Sequence, residues 1–126
     1  MSLLLDTPIV LWWLADDPRL TDEVRRAITE EDRVAVSAAS AWEVVMKRAL
    51  GLLEVPDGFA EAVAAQGFEP LAVTFDHVRD AEALPAHHDD PFDRMLVAQA
   101  RAERLVLVTA NTRLTAYPVR VLGVGR

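Results

Sequence analysis

Short apolar runs alternate with helical patterns along this chain. Four runs predict buried strands, and a less regular run over residues 119–122 predicts an edge strand. The four are Leu3-Leu4-Leu5, Val34-Ala35-Val36, Leu71-Ala72-Val73 and Leu105-Val106-Leu107-Val108. Helical spacing predicts four helices over residues 8–15, 21–31, 58–66 and 75–83. A further helix begins after a cap at Ser37 or Ser40 and ends at Gly51, and another starts at Pro91. Strands that alternate with helices indicate an α/β fold with a mainly parallel sheet.

The helix that starts at Pro91 carries an acid on its core-facing side. Proline suits the first helical position because it lacks the N–H that would be unsatisfied there, and Asp90 before it suits the N-cap. The neighbours of Asp93 at i+3, i+4 and i+7 are Leu96, Val97 and Ala100. A carboxylate at the end of such an apolar stripe is costly unless a partner compensates it. We therefore expect Asp93 to have such a partner.

The helix over residues 8–15 is apolar on nearly every side. Thr7 is its predicted N-cap and Pro8 its first residue, and residues 9–14 read Ile-Val-Leu-Trp-Trp-Leu. A segment of this kind is either buried in the protein's own core or covered by another chain. The pattern leaves both alternatives open.

Composition narrows the class of protein. A chain of 126 residues with 52% hydrophobic residues is long enough for one folded domain over residues 1–126. It has no cysteine, no basic leader and no apolar run near the 18 or so residues of a membrane span, so we expect a cytoplasmic protein without a membrane partner. A net charge of −7 argues against a broad basic groove, but not against nucleic acid bound at one cation-loaded pocket.

Polar side chains follow or precede several of the predicted strands. Asp6 ends the first strand, Asn111 follows the strand at 105–108, Glu43 lies in the helix after the second strand, and Asp93 opens the helix before the 105–108 strand. Sites in parallel sheets lie at the carboxyl ends of strands, so we expect these groups to converge at one edge.

Each acid also has a simpler alternative role. Asp6 could cap the turn that follows it, and Glu43 has Lys47 at i+4, which favours a surface ion pair. Asp90 is better explained as a helix cap than as a metal ligand. The sequence alone is compatible both with these separate roles and with one metal site that the acids share.

The donor types favour a hard cation. Grouped carboxylates with few histidines and no cysteine suit Mg²⁺ or Mn²⁺, which lower the pKa of a bound water and screen charge on a phosphate. His87 and His88 are adjacent in a predicted loop, which lacks the spacing of a tetrahedral zinc site. We interpret both as solvated loop residues.

Four blocks of sequence occur in an order that is typical of one protein family. They are Leu4-Leu5-Asp6-Thr7, Ser37 with Ala41-Trp42-Glu43, His88 with the run from Asp90 to Ala100, and Leu107-Val108-Thr109. Together they resemble a PIN domain, and more narrowly the VapC-type toxin ribonucleases of bacterial toxin–antitoxin pairs. The Asp-Pro-Phe-Asp-Arg block is the specific part of the resemblance, which covers nearly the whole chain.

The resemblance implies a three-layer α/β/α PIN-like domain whose acidic pocket binds Mg²⁺ or Mn²⁺ and hydrolyses RNA phosphodiester bonds with a metal-activated water. Asp6, Glu43 and Asp93 match the family's metal-binding and catalytic acids. In this interpretation Asp6 and Asp93 hold the metal directly, while Glu43 binds it or positions the attacking water. The resemblance also implies a homodimer and a small antitoxin protein as partner.

One position departs from the family pattern. The pattern usually supplies a fourth acid after the late strand, where this chain has Asn111. Its amide oxygen can ligate without charge, so we expect Asn111 and Asp90 to have auxiliary roles and metal affinity to be lower. Arg94 and Arg113 are candidate phosphate contacts, with surface ion pairing as their alternative.

Two other functions compete with the nuclease. A PIN-type fold with a weakened site could act only as a binding module, and the missing fourth acid motivates that alternative. A receiver-like phosphoryl acceptor would need paired acids after the first strand and a lysine after a late strand. Only Asp6 is present at the first place and no lysine follows Val108, so we disfavour a receiver.

Overall fold

Five parallel strands form one sheet, with helices on both of its faces. A computed structural model describes residues 1–124, so the last two residues of the predicted domain lie outside the described part. The strands are β1 (Leu3–Leu5), β2 (Val34–Ser37), β3 (Glu69–Leu71), β4 (Val106–Thr109) and β5 (Val121–Gly123). The helices are α1 (Thr7–Leu14), α2 (Asp22–Glu30), α3 (Ala38–Ala49), α4 (Phe59–Ala65), α5 (Phe75–Ala83) and α6 (Pro91–Glu103), with a 3₁₀ helix over Thr112–Ala116.

The strand order places β1 at the centre of the sheet. The order is β3-β2-β1-β4-β5, and each neighbouring pair is parallel. The chain builds outward from β1 to β3 and then returns to place β4 on the other side of β1. The strand order therefore reverses between β1 and β4, and the crevice at their carboxyl ends is where ligands of such sheets bind.

Two hydrophobic cores fill the space between the sheet and its helices. One face of β1 contributes Leu3 and Leu5 to a core that contains residues of α1, α2, α3 and α4. The other face contributes Leu4 to a core with α6 and the end of α5. Strands buried on both faces explain the uninterrupted apolar runs in the sequence. The predicted three-layer α/β/α architecture is confirmed.

Some element boundaries differ from the prediction. β3 covers Glu69–Leu71 rather than residues 71–73, and β5 covers Val121–Gly123 rather than residues 119–122. Both are edge strands, where the position depends on pairing with a neighbour more than on the local pattern. No pattern indicated the 3₁₀ helix. Among residues 1–124, no helix is both long enough and apolar enough to cross a membrane.

Helix caps mostly follow the sequence signals. Ser37 caps α3 by accepting a hydrogen bond from the N–H of Ala39 at 3.0 Å, and Gly51 after the helix has a positive φ of 71° that glycine adopts without strain. The prediction for α1 is wrong by one residue, since its N-cap is Asp6 and Thr7 is its first helical residue. That shift places the Thr7 side chain beside α3.

The α1 surface is covered only in part. Ile9 and Val10 are buried in the core, whereas residues 11–14, the Leu-Trp-Trp-Leu segment, are half-buried. Trp42 and Val45 on α3 are 62% and 54% exposed. Burial in the protein's own core therefore holds for one side of α1, and the other side is only partly covered. Cover by another chain stays a prediction.

Candidate metal centre

Asp6 lies at the reversal point of the sheet, buried between β1 and β4. Its backbone N–H donates to the carbonyl of Val108, and its Oδ1 accepts the N–H of Ile9 at 3.1 Å as the N-cap of α1. The residue is 2% exposed, and the hydroxyl of nearby Thr109 lowers the pKa of its carboxyl group. The hydrogen bonds that stabilise this carboxylate thus come from neutral donors.

Burial makes the charged form of Asp6 costly. Desolvation raises its pKa from 3.8 to about 7, against the lowering effect of the hydrogen bonds from Thr109 and Ile9. The charges of Asp93 and Glu43 contribute to this rise. Because the charges of both Asp93 and Glu43 act on Asp6, these side chains lie in one electrostatic environment.

Glu43 projects from α3 toward the first turn of α1. Its Oε1 lies 2.6 Å from the Thr7 hydroxyl, which also lies 2.9 Å from the Ser40 hydroxyl, and its Oε2 lies 2.6 Å from Lys47 Nζ. Glu43 is 8% exposed. The ion pair with Lys47 that the sequence offered as an alternative is present, but it lies at a buried carboxylate rather than on the surface.

Lys47 contacts Glu43 and lies within the electrostatic influence of Asp90 and Asp93. The hydrogen bond to Glu43 raises its pKa, and the charges of Asp90 and Asp93 raise it further, while burial opposes the shift. The lysine ammonium therefore supplies the positive charge nearest to Glu43 in this structure.

Asp93 lies in the first turn of α6, with its carboxylate in contact with the loop before the helix. Its Oδ2 is 2.9 Å from His88 Nε2 and 3.4 Å from Asn111 Nδ2. Burial raises the pKa of Asp93, the hydrogen bond from His88 lowers it, and the charges of Asp90 and Glu43 raise it. The compensating partner expected for this acid is therefore His88, assisted by Asn111.

Asp90 has the capping role that the sequence favoured. Its Oδ1 accepts the N–H groups of Phe92 at 2.8 Å and Asp93 at 3.2 Å. Ligand atoms of His88, Asp90 and Asp93 nevertheless lie within 4.8 Å of one another, a spacing that could hold a metal ion. Among residues 1–124, Asp6 and Glu43 lie outside that cluster. Their charges nevertheless interact with the charge of Asp93.

The donor chemistry of the pocket fits a divalent cation. The charges of Asp93 and Glu43 act on Asp6, that of Asp90 acts on Asp93, and Asp6 is buried with neutral donors only. We refer to Asp6, Glu43, Asp90 and Asp93 together as the acidic pocket. Oxygen-rich sites of this kind suit Mg²⁺ or Mn²⁺. The cluster with the spacing of a metal site contains Asp93 together with His88 and Asp90, and Asp6 and Glu43 are further candidates whose charges interact with that of Asp93.

The two candidate arginines differ in their surroundings. Arg94 donates to the backbone carbonyls of Ala81, Leu84 and Pro85 at 2.9, 3.1 and 3.0 Å, so its guanidinium holds a loop instead of facing the pocket. This contact set does not favour a phosphate contact for Arg94. Arg113 is exposed in the 3₁₀ helix, two residues after Asn111, whose side chain contacts Asp93.

Sequence reasoning missed several pocket residues. His88 was interpreted as solvated, and the structure corrects this, because its side chain is only 12% exposed and contacts Asp93. The sequence predicts only capping roles for Thr7 and Ser40, yet the Thr7 hydroxyl contacts Glu43 and the Ser40 hydroxyl contacts that of Thr7. One available signal was that Thr7 directly follows a strand-end acid, so its side chain had to lie near the same edge.

Comparisons with known proteins agree on one family. The sequence model of the PIN domain matches residues 3–119. Ribonuclease VapC22 of Mycobacterium tuberculosis (strain ATCC 25618 / H37Rv) is 34% identical over 125 residues, which is 92% of each chain. The fold is similar to VapBC2 from Rickettsia felis bound to a promoter DNA fragment, with a TM-score of 0.75, 14% identity and coverage of 99% of this chain and 100% of that one. It is also similar to DNA-bound VapBC from Salmonella typhimurium, with a TM-score of 0.70, 18% identity and coverage of 98% of both chains. The chain belongs to the PIN domain family.

Proposed function

We propose that this chain is a VapC-type ribonuclease toxin of a toxin–antitoxin pair, an endoribonuclease that depends on Mg²⁺ or Mn²⁺. Similarity to Ribonuclease VapC22 over most of both chains supports the ribonuclease activity. The proposal treats residues 1–126 as one PIN-like domain, and the family match over residues 3–119 supports that extent.

The observation that carries the proposal is the burial of Asp6 beside two other acids at the point where the strand order reverses. Ionising a buried carboxylate near other carboxylates is unfavourable, and Asp6 receives only neutral hydrogen bonds. A protein that needed only a helix cap there could use serine or asparagine without this cost. A bound cation would remove the cost, which is why the arrangement favours metal-dependent chemistry.

Each residue has a role in the proposal. Asp6 and Asp93 hold the cation, and Glu43 binds it or orients the attacking water. When bound, such a cation supplies positive charge that offsets the charge developing on a phosphodiester. Asn111 keeps Asp93 oriented, and the exposed Arg113 contacts a substrate phosphate near the pocket.

The proposal includes RNA as substrate, a cognate antitoxin as partner, a homodimer and action in the cytoplasm. The structural neighbours are toxin–antitoxin complexes, and the half-buried Leu-Trp-Trp-Leu segment of α1 together with exposed Trp42 and Val45 offers apolar surface for protein contacts. Large exposed apolar patches are typical of interaction sites.

A non-catalytic binding module is the second candidate. It is favoured by the pairing already present in the pocket, since Glu43 contacts Lys47 at 2.6 Å and Asp93 contacts His88 at 2.9 Å. In that case the fold would act only through its protein partner.

An RNA cleavage assay separates the two candidates. Purified protein is incubated with end-labelled RNA in EDTA, in Mg²⁺ and in Mn²⁺, together with the Asp93→Asn variant. Asp76→Asn is the matched control, because Asp76 also lies in the first turn of a helix but its side chain is 79% exposed.

We expect cleavage with either metal, none in EDTA, none by Asp93→Asn, and unchanged cleavage by Asp76→Asn. Circular dichroism should show that both variants are folded. Cleavage that continues in EDTA, or at the wild-type rate in Asp93→Asn, would contradict the proposal. A folded wild-type protein that binds its antitoxin but cuts no RNA with either metal would favour the binding module.

A further inference from the structure

We propose that His88 is a positioning residue of this site, which donates from Nε2 to Asp93 Oδ2 and, with Asn111, leaves Oδ1 as the oxygen of Asp93 that would hold a cation. The inference rests on the proposed function. It assigns a role to a loop histidine whose sequence position suggested only a solvated side chain.

Two donors converge on one oxygen of Asp93. His88 Nε2 lies 2.9 Å from Oδ2 and Asn111 Nδ2 lies 3.4 Å from the same atom. A carboxylate that holds a cation is ionised and only accepts hydrogen bonds, so in that state the His88 proton lies on Nε2. The 3.4 Å approach of Asn111 Nδ2 to His88 Nε2 is then a contact between two donors that share one acceptor.

The orientation of the Asn111 amide is determined by a separate contact. Its Oδ1 accepts the N–H of Arg113 at 3.1 Å as the cap of the 3₁₀ helix, so its NH₂ group must face Asp93. Asn111 therefore contributes a donor to the pocket rather than the oxygen ligand that the family pattern suggested. Both described side-chain contacts of Asp93 are then on Oδ2, and Oδ1 is the oxygen left for a cation.

The loop that carries His88 is held on the protein. Arg94 donates to the carbonyls of Leu84 and Pro85, and the Tyr117 hydroxyl lies 3.5 Å from the carbonyl of His88. The His87 ring packs edge-on against Tyr117, with ring centroids 5.1 Å apart. A solvated histidine would need none of this support, whereas a side chain that must keep a fixed angle to a carboxylate does.

The same geometry argues against His88 as a metal ligand. Its Nε2 is the atom that contacts Asp93, so it cannot coordinate an ion and keep that hydrogen bond. Hard cations such as Mg²⁺ and Mn²⁺ also prefer oxygen to imidazole nitrogen. Asp90 lies in the same cluster, and its negative charge acts on Asp93, which makes a donor on Oδ2 more valuable.

The test measures metal affinity without RNA. Mn²⁺ is titrated into wild-type protein, His88→Ala and His88→Gln, and free Mn²⁺ is followed by electron paramagnetic resonance. Glutamine retains a donor near the Nε2 position. His77→Ala is the matched control, because His77 is buried but contacts Glu103 and Gln99 away from the acidic pocket.

We expect His88→Ala to raise the Kd for Mn²⁺ by about tenfold or more, as is typical when a partner of a metal ligand is removed. His88→Gln should recover most of the affinity. His77→Ala should lower the melting temperature while leaving the Kd unchanged, which separates positioning from general stability. In RNA cleavage, His88→Ala should require more Mn²⁺ for half-maximal rate, with little change in KM for RNA.

Three results would overturn the inference. One is a Kd for His88→Ala within twofold of wild type, and another is a His88→Gln variant as weak as His88→Ala. The third is direct nitrogen coupling to bound Mn²⁺ in a pulsed resonance spectrum, which would make His88 a ligand. If one of these results is found while the wild-type protein binds Mn²⁺ and cuts RNA, only the role of His88 is overturned and the proposed function stands. A wild-type protein that neither binds Mn²⁺ nor cuts RNA would overturn both the proposed function and the role of His88.

Discussion

Replacing Asp6 with asparagine should make the metal-free protein more stable while abolishing its activity. Asparagine is nearly isosteric and remains a good N-cap, so its Oδ1 can still accept the N–H of Ile9. The substitution removes only the ionisable group. What changes is therefore the cost of charging a carboxyl group that is 2% exposed beside Asp93 and Glu43.

The size of the effect follows from the pKa of Asp6. A rise from 3.8 to about 7 is roughly three pKa units, which corresponds to about 4 kcal/mol between the two protonation states. Between these two pH values the folded state holds a proton that the unfolded state has lost, so stability falls as pH rises and is lowest above pH 7. We expect Asp6→Asn to gain about 2–4 kcal/mol at pH 8 and less than half of that at pH 5.

Urea unfolding in EDTA measures this difference. Tryptophan fluorescence follows the transition at pH 5 and pH 8 for wild type and Asp6→Asn. Asp22→Asn is the control, because Asp22 is an exposed acid in the first turn of α2, and its removal should cost no more than about 1 kcal/mol. Saturating Mn²⁺ should raise the wild-type midpoint and leave that of Asp6→Asn almost unchanged.

Two outcomes would refute the reasoning. If Asp6→Asn is less stable than wild type at pH 8, the carboxylate is stabilised in the fold and carries no cost that a cation could relieve. If the stability difference is the same at pH 5 and pH 8, Asp6 does not titrate in this range. Either outcome would remove the main physical argument for a cation at this edge of the sheet.

Three further changes test the surroundings of the pocket. Asn111→Asp should lower the melting temperature in EDTA, because it replaces a donor 3.4 Å from Asp93 with a negative charge, and should enlarge the shift that Mn²⁺ produces; a smaller shift would contradict this. Lys47→Gln should also lower the melting temperature in EDTA, since Glu43 loses its partner at 2.6 Å, but should tighten Mn²⁺ binding in a calorimetric titration. Arg94→Lys should destabilise the protein by about 2 kcal/mol in urea unfolding, because lysine cannot reach three carbonyls at once, and an unchanged midpoint would show that those contacts are dispensable.

Local signals predicted most of the helices and the class of fold. The α6 helix begins at Pro91 with Asp90 as its cap, as expected, because the geometry of these two residues is determined within one turn. The central strand β1 was predicted over its full length, since a strand buried on both faces leaves a continuous apolar run.

The position of β3 depends on a neighbour rather than on local pattern. Glu69 pairs with Ala35 and Pro70 pairs with Val36, although neither Glu nor Pro favours a strand. Proline is tolerated there because the strand lies at the edge of the sheet. The apolar run at 71–73 was the stronger local signal, and it predicted a strand two residues too late.

In the pocket, too, the local sequence pattern predicts some residues, whereas others depend on contacts between residues far apart in the sequence. Asp6, Glu43 and Asp93 could be chosen from strand ends and helix faces, and Lys47 from its i+4 spacing to Glu43, but the partners that lie far away in the sequence could not. Thr7 and Glu43 are 36 residues apart. The contact of His88 with Asp93 depends on a loop held by tertiary contacts, for which periodicity gives no signal.

The most direct test of the central claim is a crystal structure of the protein grown with Mn²⁺ and examined by anomalous scattering. We expect one Mn²⁺ ion at the carboxyl ends of β1 and β4, with oxygens of Asp6 and Asp93 within about 2.5 Å of it and Glu43 bound directly or through a water. An ordered pocket in which the three acids keep their present partners, with Mn²⁺ only at surface carboxylates, would contradict it.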